Sequence, residues 1–169
     1  PDKMSYEEAA TVPCGALMAL NLLKKVKIHS GQKVLINGAS GGIGSAAVQI
    51  IKNHFGAEVT GVCSTLRLEF VKALGADKVI DYTKEDFTQS SETYDLIFDI
   101  LGKSTFSGCR KVLKQNGCYL LASFKTKKLL QMLRTKIIGK KKVICALAIP
   151  KPKDLIFIKE LIEDGKIKS

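Results

Sequence analysis

Seven consecutive residues, Gly38-Ala39-Ser40-Gly41-Gly42-Ile43-Gly44, separate an apolar run, Lys33–Asn37, from an amphipathic stretch at 42–55. Four glycines in seven positions cost backbone entropy. A plain strand-to-helix turn offers no evident return for that cost, whereas a phosphate-binding turn does. Glycine permits the tight turn and lets the backbone approach a pyrophosphate. The helix that starts there presents free N–H groups and the positive end of its dipole. A strand before and a helix after are the context that gives such a motif meaning. Dinucleotide contacts are therefore expected from Ala39, Ser40, Gly41, Gly42, Ile43 and Gly44. The alternative is a tight turn with no ligand.

Sheets that bind NAD(H) place an Asp or Glu about 20 residues past the glycines, on the ribose 2′-hydroxyl. The second apolar run, 58–62, leads into Cys63 and Ser64 without an acid there; Glu58 sits at its other end. Ser64 and Arg67 follow instead. A hydroxyl and a guanidinium three residues apart can bracket a 2′-phosphate. The pattern therefore predicts NADP(H). Ser64 also reads as a helix N-cap, and Arg67 as part of a solvated helix face.

No metal cluster is expected. The five cysteines, Cys14, Cys63, Cys109, Cys118 and Cys145, include no C-x-x-C pair, and their odd number argues against a disulfide framework. Free thiols in a cytoplasmic protein are the expectation. His29 and His54 lack metal-like partners and read as surface residues. No catalytic side chain is assigned in this chain, because hydride chemistry belongs to a cofactor and the protein supplies placement.

The elements that must hold these residues follow from periodicity. Ser5-Tyr6-Glu7-Glu8 reads as a capping box opening a short helix, with a second helix at 13–25. Strands are predicted at Lys33–Asn37, 58–62, Lys78–Asp81, 94–100, 118–122 and 143–147. Helices are predicted at 42–55, 66–74, 103–113, 127–136 and 154–163. The strands are apolar with little alternation, as in a parallel sheet covered on both faces. Strand–helix repetition over this length predicts one doubly wound parallel α/β domain over 1–169, a three-layer Rossmann α/β/α fold. The expected strand order is 3-2-1-4-5-6, with the ligand at the carboxyl ends where the order reverses.

The chain's 46% hydrophobic and 25% charged residues suit a globular domain, and no apolar run approaches the length needed to span a bilayer. The net charge of +11 is uneven: residues 125–142 hold eight Lys/Arg and no acid. Leu129, Leu130, Leu133 and Ile137 make this an amphipathic helix with a basic face. It reads as core packing plus a solvated face; contact with an anionic membrane surface is the sharper alternative. No aromatic interleaving supports nucleic acid as a partner.

Two families write the glycine turn in nearly these letters. Short-chain dehydrogenases require a downstream Tyr-x-x-x-Lys. Four places after Tyr6, Tyr82, Tyr94 and Tyr119 stand Ala10, Asp86, Phe98 and Ser123, so that reading lacks its catalytic pair and is the less favoured alternative. The better match begins at Glu8-Ala9-Ala10-Thr11-Val12-Pro13 and continues through Ser30-Gly31-Gln32-Lys33 to the glycine turn. Leu74-Gly75-Ala76-Asp77 with Val79-Ile80-Asp81-Tyr82, and Tyr94-Asp95-Leu96-Ile97-Phe98-Asp99 with Gly102, keep the same order. The whole chain resembles the medium-chain dehydrogenase/reductases, in the zinc-independent quinone oxidoreductase branch.

The resemblance implies an NADPH-dependent reductase of quinones or α,β-unsaturated carbonyls. A dinucleotide-binding module without turnover is the alternative. The GroES-like catalytic domain of the family is absent, so the chain reads as an excised cofactor domain. Ser64, a basic residue where Arg67 stands, and Tyr82 would hold the 2′-phosphate; Tyr82 also reads as a packed strand-end residue. Leu101, Gly102, Ala122 and Ser123 would lie near the nicotinamide. Asp99 would either lie there or cap the next helix. Met18 stands where the family often has a Thr that touches the nicotinamide. The family's dimer contact implies a homodimer through the last strand.

Overall fold

A computed structural model describes residues 4–122 and 141–168. Six strands form one sheet in the order β3-β2-β1-β4-β5-β6: β1 Lys33–Asn37, β2 Glu58–Cys63, β3 Lys78–Asp81, β4 Tyr94–Asp99, β5 Leu113–Leu121 and β6 Lys142–Cys145. Every pairing is parallel. The order predicted from strand–helix alternation is the order observed. It reverses between β1 and β4, where Asn37 pairs with Asp99, and a crevice opens beyond their carboxyl ends.

The helices are α1 Tyr6–Leu23, α2 Gly42–Asn53, α3 Leu68–Ala73, α4 Phe106–Cys109 and α5 Pro152–Glu163. Alternate strand residues serve two apolar layers. Val34, Ile36, Leu96 and Phe98 share one core with Leu20 and Leu23 of α1, Ile50 of α2 and Ile158 of α5. Leu35, Ile97 and Tyr119 share the other with Phe87 and with Phe106 and Cys109 of α4. Both faces of the strands are thus dry, which is why they read as continuous apolar runs.

Several boundaries depart from expectation: the predicted helix at 66–74 opens as a 3₁₀ turn, Thr65–Arg67, before α3, and the predicted strand at 143–147 ends at Cys145. The two predicted N-terminal helices are one, α1, which runs through Pro13. Its docking on α2 and α5 outweighs the hydrogen bond that proline cannot donate. The predicted helix at 103–113 shrinks to the single turn of α4. Phe106, Cys109 and Val112 are buried at helical spacing, but Gly108 propagates a helix poorly and Leu113 is drawn into the sheet opposite Tyr94. β5 therefore starts five residues earlier than its predicted 118, and Asn116, at φ 65°, absorbs the irregularity between its first pair and Cys118. The predicted helix at 127–136 lies outside the described residues.

The last described residues lie against α2. Gln49 Oε1 accepts from the Lys168 N–H (2.7 Å), and Gln49 Nε2 donates to the Lys168 carbonyl (3.0 Å). Asn53 Nδ2 donates to the Lys166 carbonyl (2.8 Å), and Ile167 between them is buried.

Candidate functional site

The glycine turn is tied to the neighbouring strand before α2 begins. The N–H groups of Gly38 and Ala39 both donate to the Val62 carbonyl, at 3.1 and 3.0 Å. Ser45 makes the first bond of α2, to Gly41 (2.8 Å), so the amides of Gly42, Ile43 and Gly44 precede the helical ladder. The four glycines then divide into two pairs. Gly38 has φ 95°, and a Cβ at Gly44 would stand 2.0 Å from the Gly38 oxygen; these two serve the turn itself. A Cβ at Gly41 would meet only the Gly38 oxygen, at 3.7 Å, and a Cβ at Gly42 would meet nothing within 4 Å. The fold does not need those two glycines. They leave bare backbone and open space at a helix N-terminus, which fits a pyrophosphate. Gly41 and Gly42 are exposed, Ser40 and Ile43 half-buried, Ala39 and Gly44 buried. From behind, Gly15 of α1 packs on the turn so closely that a Cβ there would lie 2.6 Å from the Gly42 oxygen.

At the end of β2 the predicted phosphate donors come together. Ser64 precedes a 3₁₀ turn, Thr65–Arg67, without a side-chain capping bond, so its hydroxyl does not serve as an N-cap. Arg67 is exposed and has no ion-pair partner among the described residues. Tyr82 is 59% exposed rather than packed, and its N–H donates to the Cys63 carbonyl (3.1 Å), which ties the ends of β2 and β3.

One acid was invisible to a scan along β2 because it arrives from β3. Asp81 is buried opposite Cys63. It accepts from Thr65 Oγ1 (2.5 Å), the Thr83 N–H (3.0 Å) and Thr83 Oγ1 (2.7 Å). The Thr65 and Thr83 hydroxyls hold its carboxyl below the usual range. Burial, and then the Asp81 charge, push the Cys63 thiol up.

Across the crevice, Asp99 is fully buried, with no ion-pair partner among the described residues. Its Oδ1 accepts from Asn37 Nδ2 (3.0 Å) and the Gly102 N–H (3.0 Å); its Oδ2 accepts from the Tyr119 hydroxyl (2.7 Å) and the Ser104 N–H (3.2 Å). Asp99 therefore caps the loop after β4. It does not cap α4, where Thr105 Oγ1 accepts from the Gly108 N–H (3.2 Å), nor does it face solvent. The loop carries Leu101, half exposed, over the glycine turn: its Cγ would stand 3.0 Å from a Cβ on Gly38. Gly102 is buried at φ 64°. A cleft of about 300 Å³ runs along this loop, lined by Asn37, Tyr82, Phe87, Leu101, Lys103 and Ser104 among others. Ala122 is half-buried at the end of β5, its N–H 3.3 Å from the Asp99 carbonyl. Ser123 lies outside the described residues. Met18 is half-buried on α1.

Among the described residues no group of three or more His, Cys, Asp or Glu is placed to hold a metal ion. None of the five cysteines is joined in a disulfide. His29 and His54 are exposed, the latter edge-on to Phe55 and Phe157. No helix among the described residues is long and apolar enough to cross a membrane.

Comparison with known proteins agrees with this geometry. Residues 42–162 match the family described as zinc-binding dehydrogenase. The chain is 39% identical over 118 residues to a 2-methylene-furan-3-one reductase of Solanum lycopersicum, covering 69% of this chain and 30% of that protein. It is 35% identical over 118 residues to the chloroplastic NADPH-dependent alkenal/one oxidoreductase of Arabidopsis thaliana, with the same coverage of 69% and 30%. The structure of the quinone oxidoreductase from Coxiella burnetii superposes with a TM-score of 0.85 at 27% identity, over 99% of this chain and 52% of that one. The chain belongs to the medium-chain dehydrogenase/reductase superfamily, in its quinone oxidoreductase-like part. It spans about 30% of the length of those two curated relatives.

Proposed function

We propose that the chain is the NADP(H)-binding part of a zinc-independent oxidoreductase that reduces quinones or α,β-unsaturated carbonyls. The observation that carries the cofactor choice is the group at the ends of β2 and β3. Among the described residues no partner is recorded for the side chains of Ser64, Arg67 and Tyr82 there, and the loop after β2 brings no acid. Asp81 is nearby, but its carboxylate is covered by the Thr65 and Thr83 hydroxyls. The bound cofactor would supply the hydride. Gly41 and Gly42 give its pyrophosphate access to the amides of α2, and Arg67 meets the 2′-phosphate with a fork of donors. The names of the tomato and Arabidopsis relatives favour enone substrates, and that of the Coxiella protein favours quinones. We further propose that two copies associate along β6, an outer strand of the sheet.

Titration of both cofactors against wild type and Arg67→Ala tests the reading. A charge-assisted hydrogen bond contributes about 1.5–3 kcal/mol, and about 1.4 kcal/mol is tenfold in affinity. Arg67→Ala should weaken NADPH by roughly ten- to hundredfold and leave NADH nearly unchanged. The advantage of NADPH should shrink as salt rises, because Arg67 is exposed. Equal affinity of wild type for the two cofactors, or a mutant that loses both alike, would overturn the assignment.

A further inference from the structure

We propose that Tyr119, which does not reach the crevice, is a positioning residue that sets the cleft wall through Asp99 and thereby governs affinity for the dinucleotide as a whole. The inference rests on the cofactor reading above and adds to it a residue that no motif marks.

The chain of contacts is short. Tyr119, Asp99 and Asn37 come from three adjacent strands, β5, β4 and β1, and all belong to the α4 side of the sheet by strand alternation with Leu35 and Ile97. Tyr119 and Asp99 have no exposed surface. A carboxyl group so placed is tolerated only while its oxygens are satisfied, and among the described residues uncharged donors satisfy them. Among the described residues, two of its donors are backbone amides of the loop, those of Gly102 and Ser104, and two are the side chains of Asn37, through Nδ2, and Tyr119, through its hydroxyl. Asp99 is thus the post to which the loop is fastened, and Tyr119 is one of the side chains that hold the post. The Tyr119 oxygen also lies 3.0 Å from the Ser104 carbonyl oxygen, so it sits against the same loop. Burial, followed by the Asp99 charge, keeps the phenol protonated and donating.

The loop in turn carries Leu101, which rests against Gly38 of the glycine turn, and Lys103 and Ser104, which line the cleft. The segment that walls the cleft therefore takes its position from a carboxylate the cofactor cannot touch. Removing the Tyr119 hydroxyl leaves the ring in the core and leaves Asp99 short of one donor, and the loop must move to compensate. Because the loop flanks the dinucleotide between its two ends, the loss falls on NADPH and NADH equally. This separates Tyr119 from Arg67, whose removal discriminates between them.

The test is titration of both cofactors against Tyr119→Phe, Leu101→Ala and the double variant, well below the unfolding transition. Tyr119→Phe should weaken NADPH and NADH by about three- to tenfold each with their ratio kept, as expected for one lost hydrogen bond. The double variant should lose less than the product of the two single losses, since both act through one loop. Unchanged affinity with a lowered unfolding midpoint would reduce Tyr119 to a core residue and overturn the proposal. So would a loss confined to NADPH, or fully multiplicative effects. If Tyr119→Phe does not fold, amide exchange in wild type decides: NADPH must slow exchange at Gly102 and Ser104, and unchanged exchange there overturns the link. Wild type that binds neither cofactor would sink the cofactor reading first, and this inference with it, before any variant is compared.

Discussion

Gly42 separates what the fold needs from what a ligand needs. It stands at the first position of α2, its φ is not positive, and a Cβ there meets no atom within 4 Å. Alanine is a better helix former than glycine by as much as about 1 kcal/mol. Gly42→Ala should therefore leave the urea midpoint unchanged or slightly raised. If a pyrophosphate uses that open space, the same methyl group should weaken both cofactors at least about tenfold, a loss of roughly 1.4 kcal/mol. A variant that binds as well as wild type would return the turn to a plain strand–helix connection. Gly44→Ala is no substitute, because its Cβ would collide with the Gly38 carbonyl and damage the fold itself. The four glycines are equivalent as letters; only φ and the atoms around each one tell them apart. The same holds for Asp81 and Asp99. Each stands plainly at a strand end, but part of what satisfies its carboxylate comes from residues distant in sequence: Thr65 for the one, Asn37 and Tyr119 for the other.

At the scale of elements, the helix behind the turn is fastened at its far end. Asp154, near the start of α5, accepts from Lys24 Nζ (2.5 Å) and Asn21 Nδ2 (3.0 Å) at the end of α1, and from the Lys151 N–H (3.0 Å). The hydrogen bonds from Lys24 and Asn21 hold its carboxyl down to about 2. In the unfolded chain the group titrates near its ordinary value of about 3.9. A folded pKa below the unfolded one gives stability that is complete above pH ~4 and is lost as pH falls through about 2. Asp154→Asn should thus lower the urea midpoint at pH 7, and the gap to wild type should close between about pH 4 and pH 2. A gap that stays constant with pH would mean the carboxylate charge contributes nothing. Neither partner of this contact was singled out in the sequence, since 130 residues separate Lys24 from Asp154. Long periodic elements were legible: β1, α2 and β3 start where their patterns start. The segment at 103–113 was not, because Phe106, Cys109 and Val112 keep helical spacing while pairing with β4 claims Leu113. Helical period and strand pairing compete there, and only the second is decided by distant residues.

For the whole molecule, strand–helix alternation was enough to order the sheet, since right-handed crossovers leave few arrangements open. That order leaves β3 and β6 at the two edges. The segment after β6 carries Leu147 and Ile149, 57% and 65% exposed, beside a strand whose Val143 and Cys145 are buried. An apolar margin continuing from an edge strand is a surface suited to a second copy. Light scattering should show the mass rising toward that of a dimer with concentration, and Ile149→Lys should hold the chain monomeric at the same concentration. A wild type that stays monomeric into the high micromolar range would dismiss the β6 contact.

The hold of Gln49 and Asn53 on the 166–168 segment has a mechanical meaning. The backbone approaches the domain through α1 and reaches Lys168 along α2, and α1 also rests on α2, with Gly15 against Gly42. Tension drawn between α1 and the 166–168 segment would therefore reach α2 from both sides. The helix proposed to offer its amides to phosphate has the glycine turn at one tip and the Asn53 grip at the other. Strain at those contacts would be felt as tilt at the glycine turn, so that α2 would act as a lever between the 166–168 segment and the proposed pyrophosphate site.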